Sequence, residues 1–130
     1  MTQPTLTTRT LAETRKHVVV SATIEGGDED LSPTILIDFS ELTANLSGTN
    51  NKLSIQEVDW AADTCSIRIL FDADTDDTGI ILSRNGKYNL KPILGIVDPQ
   101  STGYTGDILI ATTGYASNST ASLIIRCLKL

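Results

Sequence analysis

Histidine, tryptophan and methionine occur once each in this chain, and cysteine only twice. Each shortage closes off a kind of chemistry. The lone histidine, His17, has no serine or cysteine nucleophile beside it in sequence, so no relay of nucleophile and base can be assembled around it. Gly-x-Ser-x-Gly, the phosphate-cradling Walker A loop and His-Glu-x-x-His are all missing. Glu57 and Asp59 form a carboxylate pair, but surface strands carry such residues routinely. The expectation is a protein that is not an enzyme. Cys65 and Cys127 have no Cys or His neighbour within a few residues, so neither belongs to a metal-binding pair. Both fall on the apolar side of predicted strands, where a thiol acts as a small hydrophobe. A disulfide between facing strands can be drawn, yet two cysteines in such a chain do not call for an oxidising compartment.

Long apolar runs are also missing. No stretch of about eighteen apolar residues exists, so no membrane-spanning helix and no membrane partner is expected. The opening MTQPTLTTRTLAETRKH has no apolar core of the signal-peptide kind, and no secretory signal is expected. No segment keeps a helical period over ten residues, and no long repeat appears. Basic clusters are reduced to Arg15-Lys16-His17. With a net charge of −6, the surface repels a phosphate backbone, and no nucleic-acid partner is expected.

What is present is period-two alternation. Residues 64–71 carry Cys65, Ile67, Ile69 and Phe71 on one side and Thr64, Ser66, Arg68 on the other, which predicts a strand with one buried face. The same pattern predicts strands over His17–Ile24, Ile35–Phe39, Leu53–Trp60, Ile80–Leu82, Gly106–Thr113 and Thr120–Leu130. In Leu53–Trp60 the apolar side switches between Ile55 and Val58, which predicts a bulge near Glu57 or a strand covered on both sides. Ala61-Ala62-Asp63 and Asn85-Gly86 read as hairpin turns, and Asp38–Leu42 as a single helical turn capped by Ser40. Residues 1–16, rich in Thr and broken by Pro4, read as an extended N-terminal arm preceding a domain over 17–130. A chain of 130 residues with 40% hydrophobic content fits one domain without metal or disulfide staples. The fold expected is all-β: a single β-sandwich of two packed sheets, with jelly-roll topology as one form.

Candidate sites are few. Asp72, Asp74, Asp76 and Asp77 crowd one loop after a core strand. Alternating carboxylates on a tight turn can converge on a hard cation, so Asp72, Asp74 and Asp76 are candidate calcium ligands. The EF-hand pattern itself fails, because counting from Asp72 the sixth and twelfth positions are Asp77 and Ser83. Trp60, Tyr104 and Tyr115 are candidate contact aromatics, for a partner protein or a sugar, and Leu6 and Leu11 are the apolar residues of the arm. The sequons Asn45-Leu46-Ser47 and Asn118-Ser119-Thr120 read as turn chemistry.

The C-terminal third, with Gly106-Asp107-Ile108-Leu109, Thr112-Thr113-Gly114 and Ile124-Ile125-Arg126, resembles the end of small structural proteins of tailed bacteriophages. Asp38-Phe39-Ser40-Glu41-Leu42, Val58-Asp59-Trp60 and Ile69-Leu70-Phe71-Asp72-Ala73 extend the resemblance over residues 36–130. It implies a virion protein, assembled in the host cytoplasm, of the capsid decoration or cement type. Such a protein binds the major capsid protein or another virion protein as a homo-oligomer, typically a trimer, and needs no cofactor. A tail, fibre or head-completion component is a variant of the same reading. The alternative from another class is a carbohydrate-binding β-sandwich with Ca²⁺ in the Asp72–Asp76 loop.

Overall fold

The computed structural model describes residues 1–130 and contains eight strands and two 3₁₀ turns. The strands are β1 (Thr5–Glu13), β2 (His17–Glu25), β3 (Thr34–Ile37), β4 (Leu53–Phe71), β5 (Asp77–Asn89), β6 (Ile96–Val97), β7 (Ile108–Thr113) and β8 (Thr120–Lys129). The all-β expectation holds. The two separate sheets do not. All eight strands belong to one antiparallel sheet, in the order β1-β2-β8-β4-β7-β3, with β5 and β6 also paired to β4.

The sheet makes two layers by bending. The first part of β4, Leu53–Asp63, pairs with β8, and its last part, Ser66–Phe71, pairs with β7. Strand β5 accompanies β4 through both parts. Because β7 and β8 both run antiparallel to β4, they lie end to end, and so do β3 and β2 beyond them. A straight strand of nineteen residues would be about 60 Å long. Yet Asp98 N–H donates to Leu53 O (3.0 Å) at one end of β4, and Asp74 N–H donates to Thr102 O (3.0 Å) just past the other. Four residues of chain from 98 to 102 reach about 14 Å at most. Strand β4 is therefore folded back, and the loop over 98–107 closes the open end.

The crease is marked by left-handed backbone. Thr64 (φ 62°) in β4, Arg84 (φ 61°) in β5, Gly114 (φ 76°) and Asn118 (φ 72°) between β7 and β8, and Gly26 and Gly27 after β2 all have positive φ. The β4–β5 register shifts between Ala61 and Ser66. Extra residues at such a bulge bend a strand and raise its twist. Here they also switch its inner face, from Val58 to Ile67.

Both layers feed one core. Val18, Val20, Ala22 and Ile24 of β2, Leu53, Ile55, Val58, Ile67, Ile69 and Phe71 of β4, Ile108 and Ile110 of β7, and Leu123, Ile125 and Cys127 of β8 pack as a single buried cluster. The bulge expected near Glu57 is present, as a register shift between Ile55 and Glu57 against β8.

Three local expectations are corrected. Ala61–Asp63 and Asn85-Gly86 do not reverse the chain; β4 and β5 continue through them. The single turn at Phe39–Glu41 is capped by Asp38, whose carboxylate accepts from Ser40 N–H, not by Ser40. The N-terminal arm is extended but not free. It forms edge strand β1, paired with β2 over Thr5–Glu13, so the boundary expected at residue 16 falls inside a hairpin.

Candidate functional site

The acidic loop does not form the convergent calcium site expected of Asp72, Asp74 and Asp76. Two of the three carboxylates accept local hydrogen bonds. Asp72 Oδ2 accepts from Thr105 Oγ1 (2.7 Å), and Asp76 Oδ1 accepts from Ala73 N–H (3.2 Å). The Asp74 carboxylate lies over Gly103, where a Cβ would fall 2.0 Å from Oδ1. No three His, Cys, Asp or Glu side chains gather closely enough to hold a metal ion. The loop instead latches the open end: Asp72 N–H donates to Asp107 O (3.1 Å) and Asp74 N–H to Thr102 O.

The five expected contact residues do not share a patch. Tyr115 is buried at the crease, not exposed for contact. Its hydroxyl lies 2.8 Å from both Gly26 O and Ser119 O. Burial, with weaker help from the neighbouring acidic groups, pushes its phenol pKa up. Tyr104 is half exposed in the closing loop, at the opposite end. Trp60 packs against the core from β4, its Nε1–H donating to Ser83 O (3.0 Å) and its ring 4.9 Å from that of Tyr88. Leu6 packs on the core, whereas Leu11 is exposed at a β1 bulge. Leu6 and Leu11 share β1 but not an environment.

Neither cysteine is prepared as a nucleophile. Burial raises the pKa of the Cys127 thiol, which is fully enclosed. Burial also raises that of Cys65, helped by the charges of Asp30 and Asp63. Both thiols are free. His17 Nδ1 faces the Arg126 guanidinium at 3.4 Å, and burial followed by that cation holds its pKa below the usual value. A thiol held protonated and an imidazole beside a cation do not make an acid–base couple.

Sequence reasoning missed two features. The first is a cleft of about 630 Å³ at the crease, open to solvent, lined by Glu25, Asp63, Thr64, Arg84, Asn85 and Thr120 among others. Two of its lining residues, Thr64 and Arg84, are the non-glycine residues held at positive φ in β4 and β5. The strain is unusual for a β-branched residue, and the Thr64–Ser119 hydroxyl contact of 2.6 Å secures it. No periodic pattern announces such a cleft, because it depends on where the sheet bends.

The second is β1 itself. Eight of its nine residues are exposed and only Leu6 is half-buried. It is tied at both ends. Thr2 O accepts from Asp28 N–H, Gln3 exchanges hydrogen bonds with Ser32, and Glu13 meets Lys129. Between these ties it is held by its ladder to β2 and by Leu6. Its second edge is unpaired.

No protein-family model, no curated protein and no solved structure matches this chain. Class and architecture therefore rest on the coordinates: an antiparallel β-sheet folded into a barrel-like double layer.

Proposed function

We propose that this is a non-enzymatic structural protein that works by protein–protein contact, as a capsid decoration or cement protein of a bacteriophage particle. The observation that carries the contact reading is β1, a nine-residue edge strand exposed everywhere but at Leu6 and unpaired along its outer edge. Unpaired strand edges are templates for another chain. A lattice-binding protein needs such a surface and needs no activated nucleophile. The virion setting comes from the sequence resemblance. Its partners are then the major capsid protein or a neighbouring virion protein, together with further copies of itself. The test is mass spectrometry of gradient-purified particles from the source that encodes the chain. Stoichiometric recovery with the capsid protein is expected. Particles that lack the chain overturn the virion reading.

A second reading is favoured by the crease cleft. Arg84, Asn85, Asp63 and Glu25, with the threonines around them, offer the mixed donors and acceptors that a sugar requires. Chemical-shift perturbation with a panel of neutral oligosaccharides tests it. Shifts confined to the cleft residues would favour carbohydrate recognition.

A further inference from the structure

We propose that β1 is the pairing surface for a second copy of this chain, the two β1 strands lying antiparallel about a two-fold axis at Thr8. This deepens the protein-contact reading and rests on it.

Of the strands with a free edge, β1 alone is both long and unprotected. Strand β3 spans only four residues and β6 only two. Strand β5 carries Asp77, Arg84 and Lys87 and is broken at the crease by the left-handed Arg84. Short length, charge and kinks are the usual means of blocking edge pairing. In β1 the run Thr5–Ala12 carries a single charge, Arg9, no proline, and one bulge near its end at Leu11.

Charge selects the occupant and the register. The chain carries −6, so most pairs of its surfaces repel. Thr5–Ala12 is free of acidic residues, which lets two copies approach there. A two-fold axis normal to the sheet keeps each face continuous and pairs residues of like parity. Centring it on Arg9 would oppose two guanidinium groups. Centring it on Thr8, the midpoint of Thr5–Leu11, sets Thr8 against Thr8, Thr7 against Arg9 and Leu6 against Thr10. Thr–Thr pairs of this kind are favourable. The two halves formed by β1, β2, β8, β4 and β5 then become one continuous sheet. Like edges meeting this way close at two copies, whereas a trimer requires two unlike surfaces. An edge contact of this size lies at the small end of interfaces, so the dimer is concentration-dependent.

The experiment is sedimentation equilibrium of the full chain and of two charge variants, Thr8→Lys and Thr8→Glu. Thr8 is exposed, so both variants are expected to keep the wild-type melting temperature. Wild type should self-associate to twice its 14.0 kDa mass. Each variant alone places like charges opposite one another and should weaken association about two- to fivefold. An equimolar mixture of the two should restore it, because the introduced ammonium of one copy meets the introduced carboxylate of the other only if Thr8 sits on the axis. Wild type that stays monomeric or forms a trimer overturns the pairing. So does a dimer indifferent to charge at Thr8, or one that the mixture does not rescue. Failure here is separable from failure of the functional reading, which is decided by recovery of the chain from purified particles.

Discussion

The Lys129 ammonium lies 2.7 Å from Glu13 Oε2, with the lysine side chain wholly buried. Its other two protons reach Thr14 O (2.7 Å) and Thr43 O (2.8 Å), so all three are used. One cation thereby ties the β1–β2 turn and the loop after the 3₁₀ turn to the last strand. Replacing it with Met should cost about 1–3 kcal/mol, because the two carbonyls lose their donor, while the partly exposed Glu13 keeps Thr43 N–H. Urea denaturation of Lys129→Met measures this.

The same pair sets an acid response. Burial acts to raise the Glu13 pKa, but the hydrogen bonds from Lys129 and Thr43 and the lysine charge together outweigh it and hold the pKa below 4.5. A depressed carboxylate contributes stability that is complete above its unfolded pKa and lost as pH falls through the folded one. Wild type should therefore lose stability relative to Glu13→Gln as pH drops below about 4.5. Equilibrium unfolding of both proteins across that range checks the sign.

Asp98 should behave in the opposite way. It is buried, its Oδ1 accepts from Gln100 N–H (2.8 Å), and its Oδ2 has no partner. Burial, and then the charge of Asp77, raise its pKa above 3.8 despite the Gln100 hydrogen bond. A raised carboxyl favours the protonated fold, so its contribution is complete below 3.8 and lost as pH rises through the folded pKa. Asp98→Asn keeps the bond from Gln100 and removes the charge. It should be more stable than wild type at pH 7 by about 1 kcal/mol, with the difference closing in acid. Thermal melts at neutral and acid pH decide this.

Gly86 is required by its neighbour and not by its own dihedral. A Cβ there would fall 2.9 Å from Trp60 Cζ2 and 3.0 Å from Cη2. Gly86→Val should force the indole off its position against Tyr88 and cost about 1–3 kcal/mol. With one tryptophan in the chain, emission reports the displacement directly.

The acidic loop should be indifferent to calcium. A ligand that binds only the folded state raises the melting temperature, and Asp72, Asp74 and Asp76 do not converge, Asp72 and Asp76 being hydrogen-bonded within the loops. Equal melting temperatures in millimolar calcium and in EDTA are expected. A rise in calcium would mean that the loop rearranges to bind it.

The inner faces of β2 and β8 are legible in the sequence because one side of each is buried, and alternation records that; β7 is buried on both sides and carries no such record. The Glu57 bulge is legible for the same reason, since it shifts the alternation. The sequons do serve turns: Asn45 Oδ1 accepts from Ser47 N–H and Oγ–H, and Asn118 is left-handed. The crease is not legible, because small and polar residues at Ala61–Asp63 and Asn85-Gly86 look alike whether a chain reverses or a sheet bends. Pairing with β7 and β8, far along the chain, decides between them. Strand β1 reads as an extended arm since only Leu6 of its nine residues is even partly buried, and its ladder to β2 makes it a strand. The aromatic residues are misplaced by sequence for a related reason: nothing local tells that Tyr115 plugs the crease while Tyr104 faces solvent.

Whether β1 is a contact strand is tested most directly by the solution mass of the unmodified chain over a wide concentration range. A mass rising from 14.0 kDa toward twice that value is the predicted result. A mass fixed at 14.0 kDa up to the highest concentration reached would contradict it.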